Sequence, residues 1–104
     1  MENMFFIYIL YSKSADKFYI GHTNDPERRL YEHNNSFSKS KFTAKFIPWE
    51  LKMSTPVNIY RTDAMKIELF IKNPKSRKFI LKLIDNKDNS QFISNLINNI
   101  IAKD

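Results

Sequence analysis

Two short runs rich in aromatic and branched residues, Phe5 to Tyr11 and Lys17 to His22, are separated only by the polar stretch Ser12 to Asp16. Such residues favour a pleated, half-buried surface, so the spacing predicts a β-hairpin with a longish loop. Gly21 lies in the second run and is the only glycine in the chain. It is expected where a side chain would clash or where the backbone must adopt a special conformation. No cysteine is present, which removes disulfides and thiolate metal sites and fits a reducing interior. The fold must therefore rest on packing alone.

The rest of the chain supplies helices to cover that hairpin. Asn24-Asp25-Pro26-Glu27 joins a capping residue, a first-turn proline and an acidic side chain suited to the positive helix end, which predicts a helix over Pro26 to Asn34. Asn34 to Ala44 is polar, serine-rich and basic, and reads as a mobile surface loop able to close over a phosphate backbone. Trp49 to Met53 reads as a third strand, followed by a turn over Ser54 to Arg61 and a helix over Thr62 to Lys72 that Asn73-Pro74 ends. Helices are also expected over Lys75 to Ile84 and Ser90 to Ala102. In the last one, Phe92, Ile93, Leu96, Ile97, Ile100 and Ile101 form one apolar stripe, meant for the core or for a dimer interface. A chain of 104 residues has room for a single core. The expected class is α+β, a small three-stranded, mainly antiparallel sheet flanked by helices. Residues 1–86 would form the main domain, and 87–104 a helix packed on it or at an interface.

Charge narrows the partner class. The formal net charge of +6 favours polyanions, since lysines and arginines that meet phosphates release counterions; solubility alone is the plainer explanation. The positive residues gather at Lys39 to Lys45 and Lys72 to Lys82, with Phe42, Phe46 and Phe79 interleaved. No segment approaches the roughly 20 apolar residues of a membrane span. Met1-Glu2-Asn3 lacks a basic leader, so a cytoplasmic location is expected. The chain has no internal repeat, glycine-rich phosphate loop, dinucleotide fingerprint or metalloprotease histidine pair.

Four residues and a carboxylate can carry chemistry. On the Pro26 to Asn34 helix, at about 100° per residue, Arg29 and His33 fall together beside Leu30 while Arg28 points away. An inward Arg29 suits either a phosphate clamp or a structural ion pair. His33 has a reference pKa near neutrality and suits a base or proton shuttle. On the next helix the apolar residues Ala64, Met65, Ile67, Leu69 and Ile71 span an arc of about 200° with Glu68 at its middle. A carboxylate so placed is expected to face the core and to need a metal ion, or a salt bridge to Arg29 or a lysine. Tyr8 and Tyr19 sit on the hairpin strands, where they either pack or present two hydroxyls on one face. His22, just after Gly21, is expected to be a peripheral contact.

Taken in order, Tyr8, Tyr19-Ile20-Gly21, Arg29, His33 and Glu68 resemble the GIY-YIG nuclease superfamily, specifically its short stand-alone bacterial type. The resemblance runs from about Met4 to Ile84. Phe6 replaces the first glycine of the family's pattern, and no match is found for an asparagine that some larger members carry after the glutamate. Ile71 to Lys78 looks like the basic tail segment of stand-alone members. The resemblance implies a metal-dependent endonuclease acting on DNA or another nucleic acid, with one Mg2+ or Mn2+ ion on Glu68. Water would be activated by Tyr8 or His33, Arg29 would steady the phosphate, and Tyr19 would position or share the proton. Gly21, His22, Lys39, Lys41, Lys45, Lys72, Lys75, Arg77 and Lys78 are the expected nucleic-acid contacts. A homodimer or a protein partner would supply targeting. Two rivals remain at this point: a binding module with little catalysis, and a protein-interaction domain.

Overall fold

In the computed structural model, which describes residues 4–35, 44–72 and 77–102, the hairpin strands are β1 (Phe5–Ser12) and β2 (Lys17–Thr23). They pair antiparallel, and β3 (Glu50–Asn58) pairs antiparallel to the other side of β1, giving the order β2-β1-β3. The helices are α1 (Pro26–Asn34), α2 (Arg61–Lys72), α3 (Arg77–Asp85) and α4 (Ser90–Ala102). The α+β class and the three-stranded antiparallel sheet are as the sequence predicts.

Strand alternation gives the sheet two unlike faces. Ile7, Ile9, Ile20 and Met53 point to one side, where Ile67 and Ile71 of α2, Ile80 and Leu83 of α3, and Ile93 and Ile100 of α4 complete the main core. Tyr8 and Leu10 point to the other side, against Trp49, Tyr19 and Leu30 of α1. The apolar stripe of α4 thus packs into the same core as the sheet.

Local chemistry fixes α1 over the second face. The Asp25 carboxylate accepts from the Arg28 backbone N–H at 3.1 Å, capping the helix as the sequence predicts. At the other end the Asn34 amide donates to the Trp49 carbonyl at 3.0 Å and accepts from the Trp49 N–H at 2.6 Å. One side chain therefore ties the end of α1 to the start of β3.

β3 differs from expectation, since Ser54 to Asn58 continue the strand where a turn was predicted. Pro56 is tolerated because β3 is an edge strand, whose outward side needs no N–H donor. The basic loop expected over Asn34 to Ala44 lies almost wholly outside the described residues, as do Lys75 and Ser76 at the expected start of the third helix.

Candidate active site

Gly21 stands directly opposite Tyr8 across the hairpin. A Cβ at this position would lie 2.5 Å from the Tyr8 hydroxyl oxygen, so the glycine leaves the space that the phenol fills. Of the two reasons for a lone glycine, close approach is the one that applies; its φ is not in the left-handed region. Leu10 faces Tyr19, which sets Tyr8 and Tyr19 on the same side as diagonal neighbours, with ring centroids 6.3 Å apart.

From α1, His33 enters this face and is fully buried. Its Nε2 lies 3.0 Å from the Tyr8 hydroxyl and 3.3 Å from an Arg29 guanidinium nitrogen. Arginine can only donate, so Nε2 is the acceptor and the imidazole proton sits on Nδ1. Burial, reinforced by the Arg29 charge, pushes the His33 pKa down to about 4. The ring is neutral at pH 7. Burial likewise pushes the Tyr8 phenol up to about 12; Arg29 opposes this, while Tyr19 and the Glu68 charge add to it.

Arg29 itself is fixed by Glu32, whose Oε1 accepts from Nη1 at 2.5 Å. Partial burial works against the guanidinium charge, but Glu32 and Tyr8 more than offset that and raise its pKa. Its side chain is 26% exposed against 53% for Arg28, the inward and outward placement that the helical wheel predicts.

Glu68 departs from the wheel. The buried stripe of α2 is Ala64, Ile67 and Ile71, whereas Met65 and Leu69 are exposed. Glu68 lies between the stripes, at the rim of the main core and not at its centre, with a side chain 18% exposed. Its Oε1 accepts from His22 Nδ1 at 2.5 Å, and its Oε2 pairs with the Lys72 ammonium at 2.8 Å. Of the expected alternatives, the lysine bridge forms and the bridge to Arg29 does not.

His22, expected only at the periphery, holds the carboxylate. An Arg61 guanidinium nitrogen lies 3.3 Å from His22 Nε2, so Nε2 accepts and Nδ1 carries the proton given to Glu68. Lys72 also stands 5.6 Å from the centre of the Tyr19 ring. It links Glu68, around the β2 edge, to the face that carries Tyr8, Tyr19, Arg29 and His33.

The model of the GIY-YIG catalytic domain matches residues 4–81. The chain belongs to the GIY-YIG family. It is also similar to UPF0213 protein YsiG of Lactococcus lactis subsp. lactis, 38% identical over 85 residues, covering 81% of this chain and 78% of that protein. A structure-specific endonuclease subunit SLX1 of Meyerozyma guilliermondii is 33% identical over 76 residues, covering 69% of this chain and 26% of that protein. The SLX1 homolog of Drosophila mojavensis is 41% identical over 54 residues, covering 45% of this chain and 18% of that protein. The chain therefore spans about a quarter or less of the SLX1 relatives. A GIY-YIG catalytic domain accounts for most of its length.

Within this GIY-YIG domain, Tyr8, Tyr19, Arg29 and His33 come together on one face, and Glu68, His22 and Lys72 on the adjoining edge. Arg77 sits elsewhere: its guanidinium pairs with Asp16 in the hairpin turn and lies 5.0 Å over the Phe18 ring. Lys45 and Lys78 are exposed. Lys39, Lys41 and Lys75 lie outside the described residues. Sequence reasoning missed Arg61 and Glu32. Glu32 was visible in principle as an acid three residues beyond Arg29 on the same helix; Arg61 carried no such local signal.

Proposed function

We propose that this domain hydrolyses phosphodiester bonds of nucleic acid, DNA in the first instance, with a single Mg2+ or Mn2+ ion on Glu68. The observation that carries this reading is the meeting of the Tyr8 hydroxyl, His33 Nε2 and Arg29 guanidinium within 3.0 to 3.3 Å, one sheet edge away from Glu68.

The donor set fits such an ion. No group of three histidine, cysteine, aspartate or glutamate side chains forms a metal cage among the described residues. Magnesium and manganese keep several waters and accept one carboxylate plus substrate phosphate, so a single glutamate in an open groove suits them. When bound, the ion would supply Lewis-acid stabilisation of the leaving oxygen. Lys72 would yield Oε2, and the His22 N–H would keep the carboxylate oriented.

The remaining steps belong to the chain's own side chains. Tyr8 accepts a proton from the attacking water while passing its own to His33 Nε2. Glu32 fixes the plane of Arg29, which has further N–H donors for the phosphate and its developing charge. A phosphate held there offsets the Arg29 charge, one of the two causes that depress His33, and so makes the imidazole a better base once substrate is bound. Tyr19 lies with its ring 5.0 Å from His33 and positions or shares the proton in transit.

The net positive charge supports the polyanionic substrate, and the cysteine-free chain suits work in the cytoplasm. Among the described residues no helix is long and apolar enough to cross a membrane. Targeting by a second copy or a protein partner belongs to the same proposal. A second reading, a binding module without catalysis, is favoured by one observation: both Glu68 oxygens already have cationic or N–H partners.

Labelled single-stranded, duplex, flap and branched DNAs, incubated with Mg2+, Mn2+ or chelator beside a Glu68→Ala control, separate the two. Metal-dependent cleavage lost in the control is the expected result. Tight, salt-sensitive binding without cleavage under any metal would establish the binding module instead.

A further inference from the structure

The outer side of α2 carries a feature that hydrolysis alone does not require. Met65 and Leu69, one turn apart, are 51% and 62% exposed. They line an open groove of about 470 Å³ together with Glu68, Lys66, Lys72 and His22. A surface helix ordinarily turns polar residues outward. Here an apolar floor continues directly from the carboxylate of the candidate active site, and cationic side chains stand along its rim.

We propose that this groove holds an unstacked nucleotide next to the scissile phosphate, so that splayed or single-stranded substrate is preferred over continuous duplex. The proposal rests on the nuclease reading and specifies its substrate class. An unpaired nucleotide has the same division as the groove: a flat base face of low polarity and an anionic phosphate. The base covers Met65 and Leu69, and the phosphate meets Lys72 or Lys66. Continuous duplex keeps its base faces stacked against each other and presents phosphates and groove edges, leaving the apolar floor uncovered. Charge complementarity favours this occupant over an uncharged peptide. Continuity matters as well, because Glu68 and Lys72 belong to both the groove and the catalytic edge.

The full chain is tested in chelator, where no cutting interferes. Affinities for a splayed-arm DNA and a blunt duplex are measured for wild type and for the double variant Met65→Ser with Leu69→Ser. Both side chains are exposed, and far-UV circular dichroism and thermal melting confirm that the variant folds. A 2-aminopurine in the single-stranded arm next to the junction reports on base environment. The expected result is a fall of about tenfold in the preference for splayed arms over duplex, with loss of the 2-aminopurine signal change. An unchanged preference, or an equal loss on both DNAs, overturns the proposal. A dimer of wild type in sedimentation that the variant dissolves, with DNA preference unchanged, assigns the groove to a second copy and overturns it too. Persistence of the preference effect with no DNA ever cut would remove the nuclease reading and keep the groove assignment. Normal cleavage with an unchanged preference would do the reverse.

Discussion

The two faces of the β2-β1-β3 sheet are built from the same strands yet serve different ends. Under α2, α3 and α4, the side chains meeting the sheet are apolar, and Ile9, Ile67 and Leu83 are almost wholly removed from water. Under α1, the sheet buries a phenol and an imidazole in contact, with a guanidinium on the same nitrogen. Hydrophobic burial needs only apolar area, whereas a buried polar cluster must have every partner in place. Among the described residues no buried side-chain polar atom is left without a partner, so the second face meets that condition. On the function proposed above, strand alternation divides stability from chemistry, and the two meet at the β2 edge, where Glu68 projects from the helix of the first face.

The sharpest way to break that division is to damage the first face alone. Ile67→Ala, which empties a site 2% exposed in the main core, is expected to cost about 2–5 kcal/mol of stability while the folded fraction keeps its cleavage rate. Chemical denaturation beside single-turnover cleavage checks this, and a rate loss in fully folded protein would show that the faces are coupled.

Acid probes the second face. His33 has a folded pKa of about 4 against an unfolded value near 6.5, so the unfolded chain binds the extra proton first. The stability linked to neutral His33 is fully present above about 6.5 and is lost as pH falls through about 4, an effect of roughly 3 kcal/mol. Denaturant unfolding from pH 7 to pH 4 should show that slope, and His33→Gln should flatten it. Slightly smaller is the effect of Arg29→Ala, expected to cost on the order of 10²-fold in rate with less effect on DNA binding. Equal losses in rate and affinity would make Arg29 a binding group only.

Much of this organisation is readable from local signals. The caps of α1, the alternating hairpin and the stripe of α4 each lie within a few residues of one another, so periodicity and capping chemistry find them. Gly21 stood out as the one glycine in the chain, and the structure then selected close approach over a special backbone conformation. What lay hidden was long-range. His22 and Glu68 are 46 residues apart, and only the docking of α2 on the β2 edge brings them together. The wheel of α2 misled for a related reason: Met65 and Leu69 extend the apolar arc, but among the described residues they stay exposed, which shifts the core stripe away from Glu68. Ser54 to Asn58 read as part of a turn, and the edge position of β3 is what makes a strand containing Pro56 acceptable.

Tyr8→Phe tests the central assignment most directly, since it removes one hydroxyl and leaves the ring packed against Gly21. Single-turnover cleavage and thermal melting would be measured on the same preparation. If the Tyr8 hydroxyl relays the proton to His33, the rate falls on the order of 10²-fold and the protein stays folded. Wild-type cleavage by the folded variant would contradict that role and leave Tyr8 as a packing residue.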